Sequence, residues 1–438
     1  MRGSEEQVRR ELKAPSLPRK RESRNGNTGW IPAFAGMTDL VALAQLIRAI
    51  ATASLFALLG LLTACSTAPL RGTGDMGLVI ERAAGRIRLV ETTGRTELAK
   101  VEGLGDLSHA AAVYSRDGRY AYVFGRDGGL TKVDMLSAKI ERRIIQAGNS
   151  IGGAISQDGK VIAVANYEPG GIKLFDTVTL EALSDIPSTY GDGKQRAKVI
   201  GIADAPGSRF VFSLFEAGEI WIVDAADPKK PQVQRIANIG KQPYDGFISP
   251  DGHYYIAGLY GEDGLSLVDM WNPQAGARRI LDGYGRGQDP MPVYKMPHLR
   301  GWAMAGRYAF FPAIGRYEVL VMDTVTWKEV GRVPVHGQPV FAMAQPGGRQ
   351  VWVNFAFPRN DVVQVIDVPS MKIVKELRPG KAVLHMEFTP RGEQVWISSR
   401  DDNAVVVYDT ATYAEKARLP AESPSGIFFT SRGLMTGF

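Results

Sequence analysis

The sequence predicts an all-β chain folded as an eight-bladed β-propeller. Three observations carry this expectation. From residue 76 onward, a short alternating strand around a turn glycine recurs eight times, at Gly118, Gly159, Gly207, Gly252, Gly306, Gly348, Gly392 and Gly433, with spacings of 41 to 54 residues. Apolar–acidic pairs that end a strand recur with the same period: Val133-Asp134, Phe175-Asp176, Val223-Asp224, Val268-Asp269, Met322-Asp323, Ile366-Asp367 and Tyr408-Asp409, with Val90-Glu91 ahead of them. Long amphipathic helical stretches are absent from the same region. A repeat of this length, with room for four short strands, is the size of a propeller blade.

The elements follow in order. Residues 1–36, with "PSLPRKRESRNGNTGWIPAFAG", mix Pro, Gly and charge without a period and resemble a translated intergenic repeat, so the natural start is expected at Met37. Residues 37–64 read as a signal peptide. Arg48 is the last charge before an apolar run too short to span a bilayer comfortably. Leu62-Thr63-Ala64-Cys65 resembles the bacterial lipoprotein cleavage box, in which the thiol is lipidated; an uncleaved anchor helix with a chance cysteine is the alternative. Residues 65–75 form a small-residue tether, and the propeller is expected over 76–438. "RIRLVETTG" at 87–95 has the form of a blade's third strand, and the chain ends just past its eighth turn glycine. The two termini are therefore expected to complete one blade together, which removes free sheet edges.

Composition narrows the chemistry. The 438 residues are 45% apolar and 22% charged, enough to bury a large core. The formal charge of +6 comes largely from residues 1–64, which hold nine Lys/Arg against five Asp/Glu, leaving 43 against 41 in the rest, so no nucleic-acid footprint follows. Cys65 is the single cysteine, which excludes an internal disulfide and multi-cysteine zinc or iron–sulfur sites. No C-x-x-C-H occurs, so no covalent c-type heme is held. "GYGRGQD" lies in a loop of an all-β chain and is a poor dinucleotide fingerprint, and neither a G-x-S-x-G elbow nor a P-loop is present.

In a propeller, the segment leading into each innermost strand rims the central channel, so equivalent positions converge on one pocket. By this rule His109, nine residues before Gly118, His298, eight before Gly306, and His385, seven before Gly392, aim at the channel mouth. Lys198 and Tyr244 hold comparable positions before Gly207 and Gly252, His336 lies just outside the region, and His253 is expected to face solvent on a hairpin. Any one of these histidines could be a hydrogen-bonded structural residue. Several around one pocket could bind a metal, ligate a heme iron or move protons. Arg126, Arg196, Lys198, Arg286, Lys295 and Arg300 would suit a ligand with several carboxylates, unless they pair with neighbouring Asp on the surface. Tyr167, Tyr190, Tyr244, Tyr284, Tyr294, Trp302 and Phe341 could enclose a flat ring or pack the core.

At "HAAAVYSRDGRYAYVFGRDGGLTKVDM" the sequence resembles the d1-heme domain of cytochrome cd1 nitrite reductase, and more closely the relatives of that domain required to make heme d1. "QAGNSIGGAISQDGK", "NYEPGGIKLFD", "FSLFEAGEIWIVD", "GKQPYDGFISPDGHYYIAGLYGEDG", "PVYKMPHLRGWAMAG", "VHGQPVFAMA" and "AVLHMEFTPRGEQVWIS" extend the likeness over residues 75–438. The resemblance implies that His109 is the axial ligand of the heme iron and Arg126 a propionate-binding arginine, with His298 near one of two distal histidines. The second distal position falls around Ala344-Gln345, without a histidine, and an electron-donating c-heme domain is lacking, so nitrite reduction is not expected.

What the resemblance implies instead is a periplasmic lipoprotein that binds heme d1 or its dihydro precursor and takes part in a late step of heme d1 biosynthesis. As an enzyme, it would hold the ligand with His109, Arg126, Arg196, Lys198, Tyr244, Arg286, Tyr294 and Lys295, while His298, His385 or Asp192 moved protons. As a carrier or scaffold it would do no chemistry, and a propeller binding only proteins is the third possibility. Implied partners are cytochrome cd1 nitrite reductase, other heme d1 maturation proteins or a c-type cytochrome, with the membrane reached through Cys65.

Overall fold

Two short devices build each blade. The first hairpin turns on the predicted glycine: the Gly118 amide donates to the Ser115 carbonyl at 2.8 Å, and the contact repeats from Gly159 to Ser156, Gly252 to Ser249 and Gly392 to Thr389 at 2.7–2.8 Å. At seven of the eight glycines φ lies between 59° and 81°, a region that disfavours a β-carbon. The second device is the acidic residue ending the third strand. Asp176 Oδ1 accepts the amides of Val178 and Thr179, both at 2.8 Å, and Asp134, Asp269, Asp323 and Asp409 repeat the arrangement. The apolar–acidic pair is thus a strand end followed by an Asx turn.

The computed structural model describes residues 71–283 and 303–437, together with Gln45, Ile47 and Arg48. It holds eight four-stranded antiparallel sheets arranged as a propeller. Three N-terminal strands, Met76–Glu81, Arg86–Glu91 and Thr96–Val101, form blade 1 with the last strand of the chain, Pro424–Phe429, as its innermost member. The register pairs Leu78 with Phe428. Closure by both termini matches the expectation, although Met76–Glu81 enters as an extra second strand before the segment at 87–95. All six of its residues are buried, so it lacks the alternation that marks a half-exposed strand. Blades 2 to 8 begin with Ala111–Tyr114, Asn149–Ile155, Val199–Ala205, Pro243–Ile248, Ala303–Ala305, Pro339–Ala344 and Val383–Phe388. Large side chains such as Trp221, Trp352, Trp396 and Phe310 fill the space between neighbouring blades. The eighth predicted turn glycine is a correction: Gly433 lies in the 3-10 turn Thr430–Leu434 beyond the last strand.

Strand direction sorts the connections. The glycine hairpins and Asx turns lie on one face, called the lower face. The turns between second and third strands, and the segments leading into each innermost strand, lie on the upper face. The C-terminal residues run across the lower mouth of the channel. Arg432 makes a bidentate pair with Glu387, both bonds 2.6 Å, the Gly433 carbonyl accepts from Arg116 at 2.8 Å, and the Gly437 amide donates to Asp204 at 2.6 Å. Among the described residues no helix is long and apolar enough to cross a membrane. Cys65 and, apart from the three residues above, the expected leader at 37–64 lie outside the described residues.

Candidate functional site

His109 sits on the upper face, two residues before the innermost strand of blade 2. Its loop is pinned to the neighbouring turn: the Arg126 amide donates to the Asp106 carbonyl at 2.8 Å, and Asp106 Oδ1 accepts the Ser108 amide at 2.8 Å. Burial, followed by the positive charges of Arg126 and Arg82, lowers the His109 pKa to about 4. The ring is therefore neutral at pH 7 and keeps a nitrogen lone pair, the form that ligates a metal.

The arginines come from turns of different blades. Arg126 belongs to the second-to-third-strand turn of blade 2, Arg82 to that of blade 1 and Arg400 to that of blade 8. Burial and the like charges of Arg400 and Arg126 lower the Arg82 pKa, with Asp106 opposing. Arg400 is held by Asp401 at 2.6 Å. Among the described residues, the side chains of Arg82 and Arg126 make no ion pair. Two guanidinium groups of this kind beside a neutral imidazole favour a ligand that brings its own carboxylates.

An aromatic cluster lies within the field of Arg126. The hydroxyls of Tyr167 and Tyr244 lie 3.4 Å apart, and Tyr244 packs against Phe215 and Tyr260 at centroid distances of 5.8 and 5.9 Å. Burial, then Tyr244 and Asp245, push the Tyr167 phenol well up, and burial does the same to Tyr244. Both stay protonated at neutral pH. The ammonium of Lys198 lies 5.5 Å above the Phe215 ring and is paired with Glu216, so its charge is already engaged. The donor set, one neutral imidazole, unpaired guanidinium groups and aromatic faces, fits an iron tetrapyrrole bearing acidic side chains.

The remaining predicted residues are dispersed. His385 lies inside Val383–Phe388 rather than ahead of it, so its ring is part of the channel wall and not of the rim. There Nδ1 accepts the Ile427 amide at 3.1 Å, Nε2 has no partner among the described residues, and Phe341 and Phe428 flank the ring. Complete burial holds its pKa well below the usual histidine range. Asp192 and Arg196 are exposed on the hairpin Thr189–Tyr190 and Gln195–Arg196, where Asp192 pairs with Lys194 at 3.2 Å. His253 is not solvent-facing but stacks between Tyr254 and Trp271 on the lower face. His298, Arg286, Tyr294 and Lys295 lie outside the described residues.

Arg82, Arg400, Phe215 and Tyr260 are not among the residues singled out from the sequence, although Arg126 and Tyr167, at the same register position, are. A register signal finds them. The residue eight positions beyond a turn glycine lies at the upper end of the second strand or in the turn that follows it: Arg126, Tyr167, Phe215, Tyr260 and Arg400 follow Gly118, Gly159, Gly207, Gly252 and Gly392 in this way, and Arg82 follows Gly74.

Comparison with known proteins places this arrangement. The Cytochrome D1 heme domain family matches residues 71–433. Protein NirF of Stutzerimonas stutzeri is 57% identical over 384 residues, covering 87% of this chain and 98% of that protein. Protein NirF of Pseudomonas aeruginosa is 57% identical over 382 residues, covering 87% and 97%. Among solved structures, the dihydro-heme d1 dehydrogenase NirN in complex with DHE superposes with a TM-score of 0.72 at 26% identity, over 84% of this chain and 78% of that one.

Proposed function

The chain belongs to the Cytochrome D1 heme domain family, among its NirF proteins, and from that premise we propose that it binds a d1-type heme precursor on its upper face and takes part in a late step of heme d1 biosynthesis. A role in heme d1 biosynthesis follows from the membership. The finer reading rests on one observation: a buried, neutral His109 at the mouth of the channel lies within the positive fields of Arg126 and Arg82. The bound group would supply an iron that His109 could ligate and a conjugated ring whose side chains or saturation can change.

The residues of the chain would do the rest. His109 offers a lone pair at pH 7. Arg82 and Arg126 orient carboxylates, and those carboxylates relieve the repulsion between like charges. Tyr167 and Tyr244 present neutral hydroxyls and, with Phe215 and Tyr260, exclude water from one side. If the step is a dehydrogenation, its electrons pass to an outside acceptor, for which a c-type cytochrome is the implied partner; cytochrome cd1 nitrite reductase and other maturation proteins would receive the product. We place the protein in the periplasm, held by a lipid on Cys65.

A second reading, a carrier that does no chemistry, is favoured by the dispersal of two residues expected to move protons: His385 is enclosed in the wall and Asp192 pairs at the surface with Lys194. An absorption titration with heme d1 and its dihydro precursor separates the readings. Binding with a spectral shift that His109→Ala removes, followed by conversion of the precursor when an electron acceptor is added, supports the enzyme. A shift without conversion supports the carrier. No shift with either ligand overturns both.

A further inference from the structure

We propose that Asp245 is the proton acceptor of the upper site, reached from the bound ligand through the hydroxyls of Tyr167 and Tyr244. This rests on the enzyme reading above, and the test below separates the two.

The innermost strands are not regular. In five blades two residues oppose one on the second strand: Gly201-Ile202 face Phe212, Tyr244-Asp245 face Gly258, Val340-Phe341 face Asn354, Leu384-His385 face Ser398 and Ser425-Gly426 face Ile80. A bulge re-aims the side chains it carries, and bulges recur beside active sites. These five share one level just inside the rim, because each falls near the upper end of its strand. Asp245 is the one carboxylate among the ten residues. It is 4% exposed and lines a channel cavity of about 60 Å³ with Gly152, Gly201 and Gly246, room for a few water molecules to carry a proton onward. Its Oδ1 accepts the Gly246 amide at 2.9 Å. The wall behind it is fixed: a β-carbon at Gly246 would collide with the Tyr255 hydroxyl, which donates to the Gly201 carbonyl at 2.7 Å. Asp204 and Glu387, the other buried carboxylates on innermost strands among the described residues, sit lower and serve Arg116 and Arg432. His385 holds the equivalent position in blade 8, but its Nδ1 accepts the Ile427 amide. The neutral ring therefore carries its proton on Nε2 and has no lone pair left to take another.

The tyrosine pair is the path to the ligand. Tyr244 stands beside Asp245 on the same bulge, and its hydroxyl lies 3.4 Å from that of Tyr167 in blade 3. Burial raises the phenols of Tyr167, Tyr244 and Tyr255 most, and the Asp245 carboxylate adds to it at each, so one acid acts on all three. In the step, the ligand's bond to hydrogen breaks and its electron pair stays on the ligand. The proton is taken by one hydroxyl as that hydroxyl passes its own along, and a proton ends on a carboxylate oxygen of Asp245, leaving both phenols as they began. Acid–base help of this kind contributes about 10²–10⁴-fold to a rate.

The test expresses the full chain in its host after deletion of the chromosomal copy, measures heme d1 extracted from the cells, and titrates the purified variants with heme d1. Asp245→Asn keeps the shape and the acceptor for the Gly246 amide but takes no proton. Tyr244→Phe keeps the ring and breaks the path. Each is expected to cut cellular heme d1 to less than a tenth of the wild-type level while the affinity for heme d1 stays within threefold. Asp245→Glu, which keeps a carboxylate, is expected to recover at least a third of that level. Full heme d1 with Asp245→Asn or Tyr244→Phe overturns the proposal, and so does a loss with Asp245→Glu equal to that with Asp245→Asn. A tenfold or greater loss of affinity in Asp245→Asn overturns it too, because the residue then holds the ligand or the fold. If the wild-type chain restores no heme d1, the biosynthetic reading itself falls, and the proposal with it.

Discussion

The two faces of the propeller are built from the same strands but spend their turns differently. On the lower face nearly every blade repeats one solution, a glycine hairpin and an Asp-capped turn, because both satisfy backbone groups locally whatever the blade packs against. On the upper face equivalent positions diverge, with Arg82, Arg126, Tyr167, Phe215, Tyr260 and Arg400 following one register. Repetition marks the requirements of folding, and departure from it within a fixed register marks the residues proposed above to face a ligand.

Substitutions on each face sharpen the contrast, and the largest expected effect is below. Glu387→Ala removes the bidentate carboxylate from Arg432, a buried guanidinium in the C-terminal closure of the channel, and is expected to destabilise the fold by about 3–5 kcal/mol. Urea unfolding measures it, and a loss under about 1 kcal/mol would mean that the lower mouth is not a stabilising element.

His109→Ala is expected to leave the urea midpoint nearly unchanged while removing the iron-ligand band of bound heme d1; an unaltered spectrum would place the ligand elsewhere. Arg82→Gln removes one charge-assisted contact, about 1.5–3 kcal/mol, so tetrapyrrole affinity should fall at least tenfold. Lys198→Ala should change it far less, because Glu216 already engages that ammonium and exposed pairs contribute about 1 kcal/mol or less. Equal losses for the two would erase the distinction between unpaired and engaged cations.

The pH dependence follows from His109. Its folded pKa of about 4 lies below the ordinary 6.5, so between these values the unfolded chain binds more protons than the folded one. Its contribution to stability is complete above about pH 6.5 and declines as pH falls toward 4. Affinity for heme d1 should stay flat from pH 8 to about pH 5 and drop only near the folded pKa. A midpoint near 6.5 in the binding titration would show that the imidazole is not held neutral by its surroundings. A small effect on stability is expected from Asp409→Ala, which removes the acceptor of two turn amides on the lower face, for about 1 kcal/mol in the same unfolding measurement.

Much of this was legible in the residues. Gly118 and Asp134 each announce a turn because the constraint is local: a positive φ at one position, a side-chain acceptor two residues before an amide. Strand Met76–Glu81 was not legible, since burial on both sides erased its alternation. His109 could be placed at the channel mouth because it precedes its strand, whereas two residues of register moved His385 from rim to wall. Arg82 stands at the register position, but the chain gives no sign that it meets Arg126 and Arg400, which are 44 and 318 positions away.

The sequence by itself determined the blade, the number of blades, their closure by both termini, and the family resemblance carried by the stretch around His109. These properties are set by turn chemistry and period, and each is contained in a few consecutive residues. Only the tertiary structure decided which charges remain unpaired and which histidine lies enclosed in the wall. Those depend on what other blades bring within a few ångströms, because desolvation and Coulomb energy follow distance in space and not separation along the chain.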